Sequence, residues 1–156
     1  HIHVMAGRAE GDQARETFVA NLAWAVERAP HASLTIEPVS RTDMPGCFLS
    51  DYDLAVEVIE RVGAPNLGLQ LDTYHAQQIT GDVPGCWRKV APLVRHVQIG
   101  GHPGRHEPDS GPLDFAAFVA ELEAWGYRGW IGAEYAPART THLGLGWLKR
   151  LHAACG

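Results

Sequence analysis

Apolar residues along this chain fall into two rhythms that alternate from one end to the other. Short runs such as Leu34-Thr35-Ile36, Leu67 to Leu71 and Trp130-Ile131-Gly132-Ala133 are bounded by turn residues and are too brief for helices. They read as strands buried on both faces. Between them, apolar positions recur every three or four residues, as in helices with one buried face. Ile2-His3-Val4-Met5 opens the chain as a strand, and Asp12 is a candidate N-cap for a helix to about Ala29. That helix aligns Phe18, Leu22, Ala25, Val26 and Ala29 before Pro30 stops it. Ser50 with Asp53 reads as a capping box opening a helix striped by Leu54, Ala55, Val58, Ile59 and Val62, closed by Gly63. After a weakly patterned segment, a helix with Trp87, Val90 and Leu93 leads to the strand His96–Ile99 and the longest loop, Gly100 to Pro112. Asp114 caps a helix lined by Phe115, Phe118, Val119 and Leu122, and a last helix carries Leu145, Leu148 and Leu151.

This is a βα alternation repeated five times, so the fold class is α/β. Strand ends fall near Met5, Glu37, Asp72, Gln98 and Glu134, at separations between 26 and 36 residues. One unit of a (β/α)8 TIM barrel has about that length, since eight units take about 250 residues. The 156 residues form a single domain that reads as the second part of such a barrel, incomplete here at about five βα units. A complete five-stranded doubly wound sheet is the structural alternative. The chain enters at His1 directly on strand sequence, which reads as something missing upstream. Unclosed sheet edges would favour association, a homo-oligomer included.

Composition narrows the function classes. The net charge of −5 and the lack of any Lys/Arg run give no footprint for nucleic acid. No apolar run reaches the 18 or so residues of a membrane span. Cys47, Cys86 and Cys155 share no zinc-type spacing and read as free thiols of a reducing, cytoplasmic setting.

Candidate chemistry collects where strands end. Polar residues at the carboxyl ends of barrel strands are where α/β barrels keep their active sites. The run Leu69-Gln70-Leu71-Asp72-Thr73-Tyr74-His75 passes abruptly from apolar to polar. Asp72 and His75 could address one ligand, or Asp72 could simply cap the next helix with His75 packed in its first turn. Four successive strands end in an oxygen donor: Glu37, Asp72, Gln98 and Glu134. Such donors suit a hard divalent ion, Mg²⁺ or Mn²⁺, and three converging carboxylates would repel one another without a neutralising charge.

Several segments resemble the hydroxypyruvate isomerase family: Ile36-Glu37-Pro38, Gln70 to His75, His96-Val97-Gln98-Ile99, Pro103-Gly104-Arg105-His106-Glu107-Pro108, Gly126 to Tyr135 and Gly144-Leu145-Gly146-Trp147. That family belongs to the xylose-isomerase-like barrels, with the ketose 3-epimerases and endonuclease IV. The opening His3-Val4-Met5-Ala6-Gly7 fits its fourth strand, so the five strands here correspond to the fourth to eighth. The resemblance implies that Glu37, Asp72, Gln98 and Glu134 ligate one divalent metal. Gln98 stands where the related epimerases have histidine. His75 and Arg105 match positions that hold substrate oxygens, and Glu107 either orients Arg105 or meets substrate. A surface role for Arg105 stays open; His102 and His106 read as loop residues, Trp130 and Trp147 as packing aromatics.

The reaction implied is isomerisation of a small hydroxy-keto acid, hydroxypyruvate to tartronate semialdehyde, through an enediolate. By the same resemblance Glu37 and Glu134 would be the catalytic pair, one base and one acid. A 2-oxo-tetronate isomerase or a sugar epimerase of the same superfamily is the alternative. An inactive barrel fragment, or a metal-dependent DNA-repair nuclease, is the reading of a different class.

Overall fold

The computed structural model describes residues 1–155, with side chains through Leu151. Its sheet has five parallel strands: β1 (Ile2–His3), β2 (Leu34–Ile36), β3 (Leu67–Asp72), β4 (Val94–Ile99) and β5 (Ile131–Ala133). They lie side by side in chain order, β1-β2-β3-β4-β5. A doubly wound sheet would reverse its strand order at a switch point; this one does not. The sheet also curls, because the His1 ring, just before β1, lies 5.6 Å from the His96 ring on β4. Five sequential parallel strands curled in this way make an open half-barrel.

Helices cover the outer face: α1 (Gly11–Arg28), α2 (Tyr52–Val62), α3 (Thr73–Thr80), α4 (Val83–Val90), α5 (Phe115–Ala124), α6 (Thr141–Gly144) and α7 (Gly146–Cys155). Leu34, Ile36, Leu69, Leu71, Val97 and Ile99 are buried in one core with Phe18, Leu22, Val58, Trp87 and Phe118 of the helices. Side chains alternate across a strand. Thr35, Gln70 and Asp72 are therefore turned to the other, concave face, and they are as buried as the leucines between them. None of the described helices is long and apolar enough to cross a membrane.

The observed starts of α1 and α2 differ from the sequence reading at their caps. Asp12 lies inside the first turn of α1, whose N-cap is Glu10, because the chain enters the helix through Gly11 at φ 81°. In α2 the cap is Asp51 rather than Ser50: its carboxylate accepts the Leu54 N–H at 2.9 Å. Tyr52 is buried as the first helical residue, and that packing sets the start. The weakly patterned segment after β3 is α3, whose first four residues, Thr73 to Ala76, are all buried. An apolar stripe is missing there because three of those four positions are occupied by Thr, Tyr and His. The last helix is divided into α6 and α7. Trp147 packs edge-on against Phe115 and Tyr135, but Trp130 is not a packing residue: at the free edge of β5 it is 81% exposed. Cys47 and Cys86 are buried free thiols, and the Cys155 side chain lies outside the described residues.

The observed cap of α2, Asp51, and the expected one, Ser50, predict different costs. Asp51→Ala should lower stability by about 1 kcal/mol, while Ser50→Ala should stay within about 0.5 kcal/mol of the parent. Urea unfolding of both variants checks this, and equal losses would contradict the observed cap.

Candidate functional site

The site is built at the carboxyl ends of the strands. Glu37 follows β2, Asp72 ends β3, Gln98 lies opposite it on β4, and Glu134 follows β5 with its N–H bonded to the Ile99 carbonyl at 3.0 Å. Glu37, Gln98 and Glu134 line one cleft of about 350 Å³ with His3, Asp43, Gln70, His75 and Arg105. Asp72 is fully buried beneath Arg105, whose Nη2 donates to its Oδ2 at 2.7 Å. The same nitrogen lies 3.0 Å from Glu134 Oε2. The curl of the sheet thus turns all four donors toward one cleft. Among the described residues, only Glu37 and Asp72 of the three acids come within one ion's reach, with His75, while Glu134 meets Asp72 through the shared Arg105 guanidinium.

Loop geometry delivers Arg105. Its backbone has φ 51°, its carbonyl accepts the Ala136 N–H at 2.8 Å, and its guanidinium lies over the Tyr74 ring at 5.1 Å. Gly100 makes room: a Cβ there would meet the Glu134 carbonyl at 2.8 Å. Arg105 is therefore held against the acids rather than freely solvated. Glu107 is turned elsewhere, its carboxylate accepting the Ala138 N–H at 3.2 and 3.3 Å.

Burial governs the charges. Desolvation, reinforced by Asp72 and Glu134, pushes the Glu37 carboxyl up to about 8. Burial also raises Asp72, to about 6, against the pull of Arg105 and the Tyr74 N–H. His75 is driven down to about 4 by burial and by Arg105, so its ring is neutral at pH 7. Its Nδ1 accepts the Ser40 N–H at 3.3 Å, which leaves the ring proton on Nε2. Nε2 lies 3.9 Å from Asp72 Oδ2, too far for a hydrogen bond, so this N–H edge faces the acids with its donor free.

The arrangement fits a cation. Ligand atoms of Glu37, Asp72 and His75 lie within 4.8 Å of one another, and Glu37 Oε1 is buried with no hydrogen-bond partner. A bare carboxylate oxygen among other acids is costly unless a positive charge faces it. Of the three, the two carboxylates offer lone pairs, whereas His75 has one nitrogen occupied and the other protonated.

Sequence reasoning missed Gln70, Asp43 and His3. Gln70 donates to Glu37 Oε2 at 2.9 Å and to Gln98 Oε1 at 2.8 Å. Asp43 accepts from the Tyr74 hydroxyl at 3.1 Å, and His3 Nδ1 lies 3.4 Å from Glu37 Oε2. A period-two signal was there to be used: Thr35, Gln70 and His96 each precede a strand-end donor by two residues and share its face.

The sequence model of the xylose isomerase-like TIM barrel family matches residues 1–151. The chain belongs to that family. Within it, 2-oxo-tetronate isomerase of Cupriavidus necator is 44% identical over 95% of this chain and 59% of its own length. Hydroxypyruvate isomerase of Escherichia coli is 34% identical over 88% of this chain and 54% of its own length. A solved structure described as AP endonuclease, family 2, from Brucella melitensis superposes with a TM-score of 0.90 at 42% identity, over 95% of this chain and 59% of that one. The chain therefore spans a little over half the length of these xylose isomerase-like barrels.

The raised acids make metal-free stability pH-dependent. Folded Glu37, at about 8, keeps a proton that the unfolded chain releases near 4.5, and Asp72 behaves alike between 3.8 and about 6. The folded state binds more protons across these windows, so stability is greatest below pH 4 for these groups and falls as pH rises to about 8. Denaturation of chelator-treated protein at several pH values should show this fall, and Glu37→Gln should flatten its upper part. An unchanged slope in that variant would refute the assignment of the loss to Glu37.

Proposed function

We propose that this chain is the metal- and substrate-binding part of an isomerase of small hydroxy-keto acids. The reaction is hydroxypyruvate to tartronate semialdehyde, with 2-oxo-tetronate isomerisation the near alternative. The observation that carries the reading is the convergence of Glu37, Asp72, Gln98 and Glu134 beside Arg105, since all five residues meet at one end of the half-barrel. In this reading β1 to β5 are the fourth to eighth strands of the barrel, and one Mg²⁺ or Mn²⁺ is held by Glu37, Asp72, Gln98 and Glu134. The buried free thiols Cys47 and Cys86 fit a cytoplasmic setting.

When bound, the ion supplies the positive charge that stabilises negative charge developing on the substrate's carbonyl oxygen. The protein's own groups do the rest. Glu37 and Glu134 flank the cleft from β2 and β5, on either side of the reacting carbons. One removes the proton next to the carbonyl and the other supplies the proton that completes the transfer. Arg105, whose Nη2 is held by Asp72 and Glu134 and whose Nε is buried, offers its Nη1 N–H groups to a substrate carboxylate, and Nε2–H of His75 donates to a substrate oxygen. Glu107 supports the site by tying the Arg105 loop to Ala138, four residues after Glu134.

The name carried by the Brucella melitensis structure raises a nuclease reading. A net charge of −5 works against binding a phosphate backbone, so the isomerase reading stands first.

Calorimetric titration with Mn²⁺ tests the site. One binding event is expected, weakened in Glu37→Gln and Asp72→Asn by more than the roughly 10- to 100-fold that outer-shell changes cost. Unchanged affinity in both would sink the metal assignment. Glu134→Gln should keep much of its affinity yet slow hydrogen–deuterium exchange at the carbon next to the hydroxypyruvate carbonyl by about 100-fold or more. Normal exchange in that variant would leave Glu134 a ligand only. Salt-dependent retention on abasic DNA without any exchange activity would favour the nuclease instead.

A further inference from the structure

We infer that Gln70 is a positioning residue that fixes Gln98 as an oxygen donor to the metal, an inference that rests on the metal-binding reading above. Gln70 sits on β3 two residues before Asp72, facing the concave side, and is 5% exposed. Its single Nε2 reaches both neighbours, Glu37 Oε2 at 2.9 Å and Gln98 Oε1 at 2.8 Å.

The polarity of this fork follows from its fixed end. Gln70 turns its NH₂ group toward Glu37, and that is the polarity a metal-bound Glu37 requires, because a carboxylate ionised by a facing cation only accepts hydrogen bonds. The second hydrogen of that group then points at Gln98 and requires an acceptor. Gln98 satisfies it only with Oε1; the flipped amide would set two NH₂ groups against each other. An amide oxygen has a second lone pair left for a cation, whereas an amide nitrogen has none to give. The same fork holds Glu37 by Oε2 and leaves Oε1, the oxygen without a partner, for the ion. Gln70 thus assigns one oxygen of each neighbour to the metal.

A purely space-filling Gln70 would behave differently, and charge separates the two roles. Gln70→Glu keeps the shape but cannot donate to both neighbours, and its carboxylate attracts the Gln98 NH₂ group. Added negative charge alone would tighten cation binding, while loss of the fork loosens it. Mn²⁺ affinity should be measured for the parent chain, Gln70→Glu, Gln70→Met and Gln98→Met, with Leu71→Met on the opposite face of the strand as a packing control. Both Gln70 variants should lose about 10- to 100-fold in affinity, with Leu71→Met unchanged. The double variant Gln70→Met with Gln98→Met should lose less than the product of the single losses, because the two act as a unit. Parent-like or tighter binding in Gln70→Glu overturns the inference, as do losses that simply multiply, and both leave the metal site standing. A parent chain that binds no Mn²⁺ removes the metal reading and this inference together.

Discussion

Burying carboxylates where three strands converge is the constraint on which this site depends. Glu37 and Asp72 are nearly or wholly removed from water, and Glu134 adds a third acid at the rim. Water cannot solvate the inner two, so the surrounding groups must. Arg105 supplies a full charge, the Tyr74 N–H and Gln70 supply hydrogen bonds, and the remaining strain appears as carboxyls raised to about 8 and about 6. Everything placed around the acids, from the left-handed turn at Arg105 to the Gly100 backbone, brings those partners within reach.

The alternation of strands and helices was legible because it is written in apolar periodicity, which packing enforces at every repeat. Glu37, Asp72 and Glu134 were legible for the same reason, since a polar residue that ends an apolar run stands out, whereas Gln98 lies inside β4 before Ile99 and was marked by the family resemblance. What escaped carries no apolar signal: Gln70 is buried, while His3 is half-buried and Asp43 exposed. Gln70 lies inside an otherwise apolar strand, where the eye for hydrophobic runs passes over a single glutamine. Helix α3 escaped because Thr73, Tyr74 and His75 occupy its buried positions. From the sequence Asp72 reads as either a cap or a site residue, and it is placed to be both: one oxygen accepts the Tyr74 N–H, the other meets Arg105. Two oxygens let one carboxylate start a helix and face a cleft at once.

The half-barrel has a cost at its margins. β1 and β5 each pair on one side only, and Ile2, Met5 and Trp130 beside those edges are more than half exposed. In a closed barrel, strands would cover both margins. The site is spared the worst of this, because Asp72 and Gln98 sit on β3 and β4, the strands with neighbours on both sides. Glu134, at the β5 margin, is correspondingly the most open of the four donors.

Charge balance explains why the proposed substrate is an acid rather than a neutral sugar. Glu37, Asp72 and Glu134 bring three negative charges, and Gln98 completes the donor set without adding a fourth. A divalent ion with the Arg105 guanidinium would cancel all three. A neutral site does not repel an incoming carboxylate, and Arg105 lies at its edge with N–H groups beyond the one shared by Asp72 and Glu134. A neutral sugar would give that guanidinium no charge to meet and would leave the planar fork with only hydroxyls. On the proposed function, Arg105 is the residue that would turn a metal site for adjacent oxygens toward substrates carrying a carboxylate.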